Sequence, residues 1–160
     1  MVAADFLPGP EGKTSYENMK IAIPKERRPH EHRVAASLET VKKFISLGFN
    51  IAIEAGAGDG ASIPDAAFAE TGATIVDDTA MAFANADIVL KVQRPLISGE
   101  DSPDEIVGMK KGAILIGMLD ALQHPNDVAA WKNAGLTAFS LELLPRITRA
   151  QSMDVLSSQS

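Results

Sequence analysis

Short apolar runs alternate with amphipathic stretches along most of the chain. The runs are continuously apolar, which is typical of strands that are buried on both faces of a parallel sheet. Prolines close two of them, at Pro24 and near Pro95, as expected where a strand meets a turn. The pattern predicts six strands, at residues 20–24, 50–54, 73–76, 87–92, 113–116 and 136–140.

The stretches between the strands predict helices. Ser37 is placed to cap a helix in which apolar residues recur at helical spacing as far as Gly48, a typical C-terminal stop. The helix predicted over 125–135 is expected to bury Val128 and Trp131. Further helical segments are expected at 64–72, at 78–86 and, as one or two turns, at 104–110.

This alternation of strand and helix predicts the fold class. We expect an α/β domain with a doubly wound, mostly parallel sheet and helices on both faces, of the Rossmann-like or flavodoxin-like kind. Such sheets bind ligands at the carboxyl ends of their strands. Candidate chemistry is therefore expected in segments 24–33, 56–62, 92–95 and 118–122 and after residue 142.

Composition narrows the class of protein. The 160 residues are 46% hydrophobic and 22% charged, which is typical of a globular domain with its own core. A net charge of −6 excludes the basic footprint of a nucleic-acid-binding protein, and the lack of cysteine excludes disulfides and thiolate metal sites. The longest apolar run, 112–119, is far shorter than the ~20 residues of a membrane-spanning helix. Residues 1–18 are predicted to be a disordered leader, or to precede a true start at Met19.

A glycine-rich motif follows the second predicted strand. Residues 56–61, Gly-Ala-Gly-Asp-Gly-Ala, match the dinucleotide fingerprint G-x-G-x-x-G/A. In a true fingerprint, however, the helix begins inside the motif and points its N-terminus at the pyrophosphate. Here Pro64 delays the helix and Asp59 places negative charge where phosphate would lie. We therefore interpret the motif as a strand-to-helix turn.

Charged residues cluster after the first strand. His30, Glu31 and His32 lie too close together in an extended loop to converge on a metal, so a solvated loop is the better interpretation. Arg33 precedes an apolar run, and it can be drawn towards a site or a buried carboxylate.

Two other charged residues lie at strand ends. Lys91 near the end of the fourth strand is equally compatible with a site residue and with a side chain that reaches the surface. Asp120 follows the fifth strand, where a turn residue is favoured over a site acid.

The densest set of polar groups lies at the C-terminus. Arg146 and Arg149 each offer about five N–H donors suited to phosphate or carboxylate. Amide, carboxylate and hydroxyl groups follow within a dozen residues, at Gln151, Ser152, Asp154, Ser157 and Ser158. They can bind a nicotinamide nucleotide, whose own atoms carry the reaction while the protein supplies alignment. A polar surface tail is the alternative.

Four short motifs recur in a known family. They are Met-Lys-Ile-Ala-Ile-Pro-Lys-Glu-Arg at 19–27, Arg-Val-Ala at 33–35, Glu-Ala-Gly-Ala-Gly at 54–58 and Leu-Lys-Val at 90–92. The chain resembles, over residues 19–160, the N-terminal domain shared by alanine dehydrogenase and the alpha subunit of proton-translocating NAD(P) transhydrogenase. The resemblance implies an α/β domain at 19–145. It also implies that 146–160 are a nucleotide-contacting loop and the start of a second domain, so that the chain is a fragment.

Two features favour the transhydrogenase branch of this family. In alanine dehydrogenases, positions that match Arg33 and Lys91 hold pyruvate, and a catalytic histidine lies at the fifth-strand exit, where this chain has Asp120. The run Pro-Arg-Ile-Thr-Arg-Ala-Gln-Ser-Met-Asp at 145–154, followed by Leu-Ser-Ser at 156–158, is similar to the Arg-Gln-Asp loop of the transhydrogenase NAD(H)-binding component.

The resemblance assigns expected roles. Five residues would hold NAD(H) against NADP(H) on a partner component, without a catalytic side chain or a metal: Arg146, Gln151, Ser152, Asp154 and Ser157. The implied partners are NADP(H)-binding and membrane-spanning components and a second copy in a homodimer. The implied location is the cytoplasmic face of the plasma membrane, reached through partner subunits. An alanine dehydrogenase-type oxidoreductase and a non-catalytic remnant or dimerisation module are the alternatives.

Overall fold

The computed structural model describes residues 16–100 and 103–144, which form one six-stranded sheet with helices on both faces. The strands are β1 (Lys20–Ile23), β2 (Asn50–Glu54), β3 (Thr74–Val76), β4 (Ile88–Gln93), β5 (Ile114–Met118) and β6 (Thr137–Ser140). The helices are α1 (Leu38–Ser46), α2 (Asp65–Glu70), α3 (Thr79–Phe83) and α4 (Pro125–Asn133). Short 3-10 helices cover Asp59–Ala61, Ile106–Gly108, Ala121–Gln123 and Leu141–Leu143. Within these stretches, no helix is long and apolar enough to cross a membrane.

All five strand pairs are parallel, and the order is β3-β2-β1-β4-β5-β6. The predicted doubly wound α/β fold is thereby confirmed, and its strand order is the Rossmann one rather than that of flavodoxin. The direction of winding reverses between β1 and β4, which makes the carboxyl ends of these two strands the switch point of the sheet. Every predicted strand is present to within two residues at each end.

The sheet separates two hydrophobic cores. On one face, α1 and α2 insert Val41 and Phe68 against Ile21 and Ile53. On the other face, Phe83 of α3 and Trp131 of α4 pack in a cluster with strand residues such as Val89 and Leu115. Because successive residues of a strand point to opposite faces, both faces of β1, β4 and β5 are apolar, which explains the continuous apolar runs.

The ends of the helices follow the predicted capping residues. Ser37 caps α1 by accepting a hydrogen bond from the backbone N–H of Thr40 at 3.2 Å. Gly48 follows with a φ of +103°, a conformation that glycine adopts without a steric penalty. The segment predicted at 78–86 is helical only over Thr79–Phe83, where Asp78 is the N-cap.

Helix α4 buries a different face from the predicted one. Trp131 is buried, but Val128 is 39% exposed and Asp127 is buried in its place. The Nε atom of Arg94 lies 3.4 Å from a carboxylate oxygen of Asp127, so the helix turns its Asp127–Trp131 face inwards. Val128 is one residue further along, about 100° around the helix, and therefore faces outwards.

The end of the predicted leader is ordered. Tyr16 stacks on Phe49 with ring centroids 5.1 Å apart, and the N–H of Asn18 donates to the carbonyl of Gly48 at 2.9 Å. The prediction of disorder is therefore wrong for residues 16–18, and residues 1–15 lie outside the described stretches of the chain.

Candidate functional site

A buried ion network fills the switch point. The Nζ atom of Lys91 lies 3.1 Å from a carboxylate oxygen of Glu105 and 3.3 Å from one of Glu26, and all three side chains are at most 4% exposed. Backbone N–H groups of the β4 exit also donate to Glu26, and that of Leu96 donates to Glu105. We call Lys91, Glu26 and Glu105 the Lys91 triad. It joins the end of β1 to the end of β4.

The triad balances opposing electrostatic effects. Burial raises the pKa of the Glu26 carboxyl group, and the nearby ammonium of Lys91 and two backbone N–H donors act against this rise. Lys91 is therefore neither a surface side chain nor a free ligand for a substrate. Sequence reasoning weighed these two roles equally because the partners of Lys91 lie far along the chain.

A second network closes the end of β2. Glu54 is paired with the guanidinium of Arg27 and accepts hydrogen bonds from the backbone N–H of Lys25 at 2.7 Å and the hydroxyl of Thr79 at 3.0 Å. Burial would raise the pKa of Glu54, but the hydrogen bonds from Arg27 and Lys25 outweigh it, and the pKa is lowered. Sequence reasoning missed Glu26, Glu54 and their partners. The available signal was a single acid at or just after the end of each apolar strand.

These contacts bear on dinucleotide binding. A dinucleotide-binding Rossmann domain leaves its switch point open, has glycines after its first strand and keeps a later carboxylate for a ribose hydroxyl. Here β1 is followed by Pro-Lys-Glu-Arg-Arg at 24–28, and Glu54 is occupied by internal donors. The residues at this edge therefore do not fit a dinucleotide across the switch point.

The glycine-rich motif has a packing role. A Cβ atom on Gly58 would lie 2.4 Å from the carbonyl oxygen of Ile63, and one on Gly60 would lie 2.6 Å from that of His32. The motif follows β2 instead of β1, and α2 begins only at Asp65. These observations support the interpretation of residues 56–61 as a strand-to-helix turn.

Gly58→Ala is therefore expected to destabilise the domain by about 1–3 kcal/mol, because the added methyl group overlaps backbone and the Phe68 ring. Urea unfolding followed by tryptophan fluorescence measures this change. Gly108→Ala is the control, since its nearest neighbour is a side-chain atom of Phe83 at 3.2 Å. Equal losses in the two variants would contradict the packing role.

Arg33 pairs with a neighbouring carboxylate. Its Nε atom donates to Glu31 at 2.9 Å, and the side-chain amide of Gln93 donates to the same carboxylate at 2.6 Å. Arg33 remains 43% exposed, whereas the side chain of Glu31 is 5% exposed. Among the residues for which positions are described, no group of three or more His, Asp or Glu side chains is arranged for a metal.

The Glu31 contacts predict a specific acid sensitivity. The hydrogen bond from Arg33 lowers the pKa of Glu31 to about 2, against about 4.3 for an unfolded chain. A lowered pKa stabilises the fold above the unfolded value, and this stabilisation is lost as the pH falls from about 4.5 towards 2. Glu31→Gln should therefore lose less stability than the wild type between pH 6 and pH 3 in urea titrations. The exposed residue Glu39 gives the control Glu39→Gln, which should keep the wild-type slope, and an unchanged slope in Glu31→Gln would refute the prediction.

The β5 exit is a turn, as predicted for Asp120. Asp120 has a φ of +48°, and its side chain is 58% exposed and lies 3.2 Å from the Nε2 atom of His124. It borders a cleft of about 230 Å³ beside β4 and β5, which is lined by Arg28, Gln93, Arg94, Met118, Asp120 and His124. Arg28 itself is paired with Glu100 at 3.0 Å.

The predicted nucleotide contacts lie outside the described residues. They are Arg146, Gln151, Ser152, Asp154 and Ser157. The described chain leads to them through β6 and the 3-10 helix Leu141–Leu143, at the same edge of the sheet as the Lys91 triad.

The strand order and the two helical layers define a doubly wound α/β domain of the Rossmann type. The chain belongs to the family described as alanine dehydrogenase/PNT, N-terminal domain, whose sequence profile matches residues 22–160. The family resemblance inferred from the four motifs is thereby confirmed.

Relatives from both branches of the family are similar to this chain. The first portion of NAD(P) transhydrogenase subunit alpha from Rhodospirillum rubrum is 54% identical over 142 residues, which are 89% of this chain and 37% of that protein. Alanine dehydrogenase of Bacillus subtilis is 35% identical over 124 residues, which are 78% of this chain and 31% of that protein. The chain thus spans about a third of the length of these relatives.

Solved structures give the same division. A transhydrogenase from Sinorhizobium meliloti has a TM-score of 0.78 and 48% identity, over 88% of this chain and 40% of that one. An L-alanine dehydrogenase has a TM-score of 0.70 and 31% identity, over 78% of this chain and 32% of that one.

Proposed function

We propose that this chain is the N-terminal portion of the NAD(H)-binding component of a proton-translocating NAD(P) transhydrogenase. In the whole protein, hydride would pass from NADH to NADP+ on a partner component, coupled to proton movement through membrane-spanning components. The observation that carries the proposal is the 54% identity to a transhydrogenase alpha subunit, compared with 35% to an alanine dehydrogenase.

The contacts at the sheet edge support this choice. Arg33 and Lys91, which would hold the substrate carboxylate in an alanine dehydrogenase, are bound to internal carboxylates. Asp120 stands where that enzyme would need a histidine as acid or base. An exposed carboxylate in a turn does not replace an imidazole, whose ordinary pKa is near 6.5.

The proposed NAD(H) contacts lie on the segment after β6. Because the switch point is filled by side chains, we propose that the nucleotide is bound by Arg146, Gln151, Ser152, Asp154 and Ser157 on one side. The other side would come from the further length that the relatives have. In this arrangement the present domain supplies one wall and orients the nicotinamide, and the nucleotide itself supplies the hydride.

NADH fluorescence titration tests the division of the site. The 160-residue chain is expected to bind NADH at least about tenfold more weakly than a protein of the relatives' full length, because most contacts are missing. Equal, tight binding by both would overturn the proposal. The full-length protein with its partner components should also reduce an NADP+ analogue with NADH and should form no NADH from alanine and NAD+.

An alanine dehydrogenase-type oxidoreductase is the second candidate. It is favoured by the TM-score of 0.70 to a solved L-alanine dehydrogenase and by the polar cleft beside β4 and β5. Alanine-dependent NADH formation by the full-length protein would establish it. The same measurement would exclude the transhydrogenase proposal if no transfer between nucleotides accompanied it.

The proposed partners follow from the proposed reaction. They are an NADP(H)-binding component, membrane-spanning components that hold the protein at the cytoplasmic face of the membrane, and a second copy in a homodimer. Light scattering on the full-length protein measures the dimer directly, and co-sedimentation with membranes that contain the partner components measures the attachment.

A further inference from the structure

A single carboxylate fastens the turn that follows β6. Glu142 lies in the 3-10 helix Leu141–Leu143, and its Oε1 atom accepts a hydrogen bond from the backbone N–H of Asp120 at 2.9 Å. The hydroxyl of Ser140 lies 2.8 Å from Oε1 and 2.6 Å from Oε2 of the same carboxylate. The exit of β5, the end of β6 and the turn beyond β6 therefore meet at one side chain. We call these contacts of Glu142 with Asp120 and Ser140 the Glu142 clamp.

The backbone on the β5 side is shaped for this contact. Asp120 has a left-handed φ of +48°, which non-glycine residues adopt at a cost of about 1–2 kcal/mol or less for aspartate. Hydrogen bonds to a carboxylate are roughly twice as strong as those between neutral groups. The contact with Glu142 helps to hold the turn at Asp120 in this conformation.

The Glu142 clamp lies close to the proposed nucleotide contacts. Arg146 is four residues beyond Glu142, so their Cα atoms are at most about 14 Å apart even in a fully extended chain. Fixing Glu142 thus limits where the segment that begins at Pro145 can start. The orientation of that segment decides how a bound nicotinamide is presented.

We propose that Glu142 is a positioning residue for the nucleotide-contacting segment, acting by tying the start of this segment to the backbone of Asp120. The inference rests on the proposed function. Misplacement of reacting groups by about 1 Å can slow a reaction about 100-fold. Loss of the Glu142 clamp should therefore affect the rate of hydride transfer more than the binding of NADH.

Steady-state kinetics of the full-length protein with its partner components test the Glu142 clamp. Glu142→Ala is expected to lower kcat for reduction of an NADP+ analogue by NADH about tenfold or more, with KM for NADH changed less than about threefold. Glu142→Gln should recover most of the rate, because its amide oxygen still accepts from the N–H of Asp120. Ser140→Ala should give an intermediate loss. Glu70→Ala, at an exposed glutamate on α2, is the control and should leave kcat unchanged.

The outcomes separate a positioning role from a structural one. If Glu142→Ala lowers the melting temperature while kcat at 25 °C matches that of Glu70→Ala, the clamp is only structural and the inference is overturned. If Glu142→Ala fails to fold, Ser140→Ala decides, because it leaves the Asp120 contact in place. A wild type with no transfer between nucleotides overturns both proposals. A wild type that is active and slowed by Gln151→Ala, but not by Glu142→Ala, overturns the clamp alone.

Discussion

Replacement of Lys91 by alanine is expected to destabilise the domain by about 3–5 kcal/mol, since it leaves two buried carboxylates without their shared cation. Glu26 and Glu105 are both buried and within 3.3 Å of the Lys91 ammonium. Burial already raises the pKa of Glu26, and removal of the ammonium takes away the largest effect that opposes this rise. Urea unfolding at pH 7 measures the loss of stability.

Two further variants make this prediction specific. Lys42→Ala, at an exposed position of α1, should change the stability by less than about 0.5 kcal/mol. Combining Lys91→Met with Glu26→Gln and Glu105→Gln should recover some of the loss, because no unpaired charge then stays buried. A cost below about 1 kcal/mol for Lys91→Ala would show that solvent reaches the triad in solution.

In the full-length protein with its partner components, Gln151→Ala and Arg146→Ala are each expected to slow hydride transfer about 10- to 100-fold. The proposed function gives these side chains the task of orienting the nicotinamide, and loss of orientation acts on the rate. Reduction of an NADP+ analogue by NADH measures this effect. Arg33→Ala should have a smaller effect, because Arg33 is paired with Glu31 at the surface.

The control for Gln151→Ala is Gln123→Ala, at an exposed residue of the 3-10 helix Ala121–Gln123. This change should leave the transfer rate as it is. The opposite pattern, in which Arg33→Ala abolishes activity and Gln151→Ala is harmless, would favour the alanine dehydrogenase-type candidate.

The local sequence was sufficient to predict the elements of the fold. Continuous apolar runs predicted all six strands, and Ser37 and Gly48 marked the ends of α1. These features depend on residues within a few positions of one another, so the pattern of burial and capping is readable in one dimension. The same local reasoning placed the start of α2 after Pro64, which argued against a dinucleotide-binding turn at 56–61.

Local patterns were insufficient where a helix has two competing faces. The periodicity of α4 favoured burial of Val128, but a partner at Arg94, far away in sequence, draws Asp127 inwards. The segment at 104–110 forms only a 3-10 turn over Ile106–Gly108, in which Ile106 is buried. Tertiary contacts thus set both the rotation and the extent of these helices.

The linear order of residues was enough to establish the fold class, the succession of elements, the family and the segment to which the nucleotide contacts are assigned. Three features became visible only in the folded chain: the Rossmann strand order, the enclosure of Lys91 by two glutamates and the contact of Glu142 with the backbone of Asp120. The difference lies in the range of the interactions. Strand and helix propensities act between near neighbours, whereas the partner of a buried charge is chosen by packing between segments 14 to 65 residues apart.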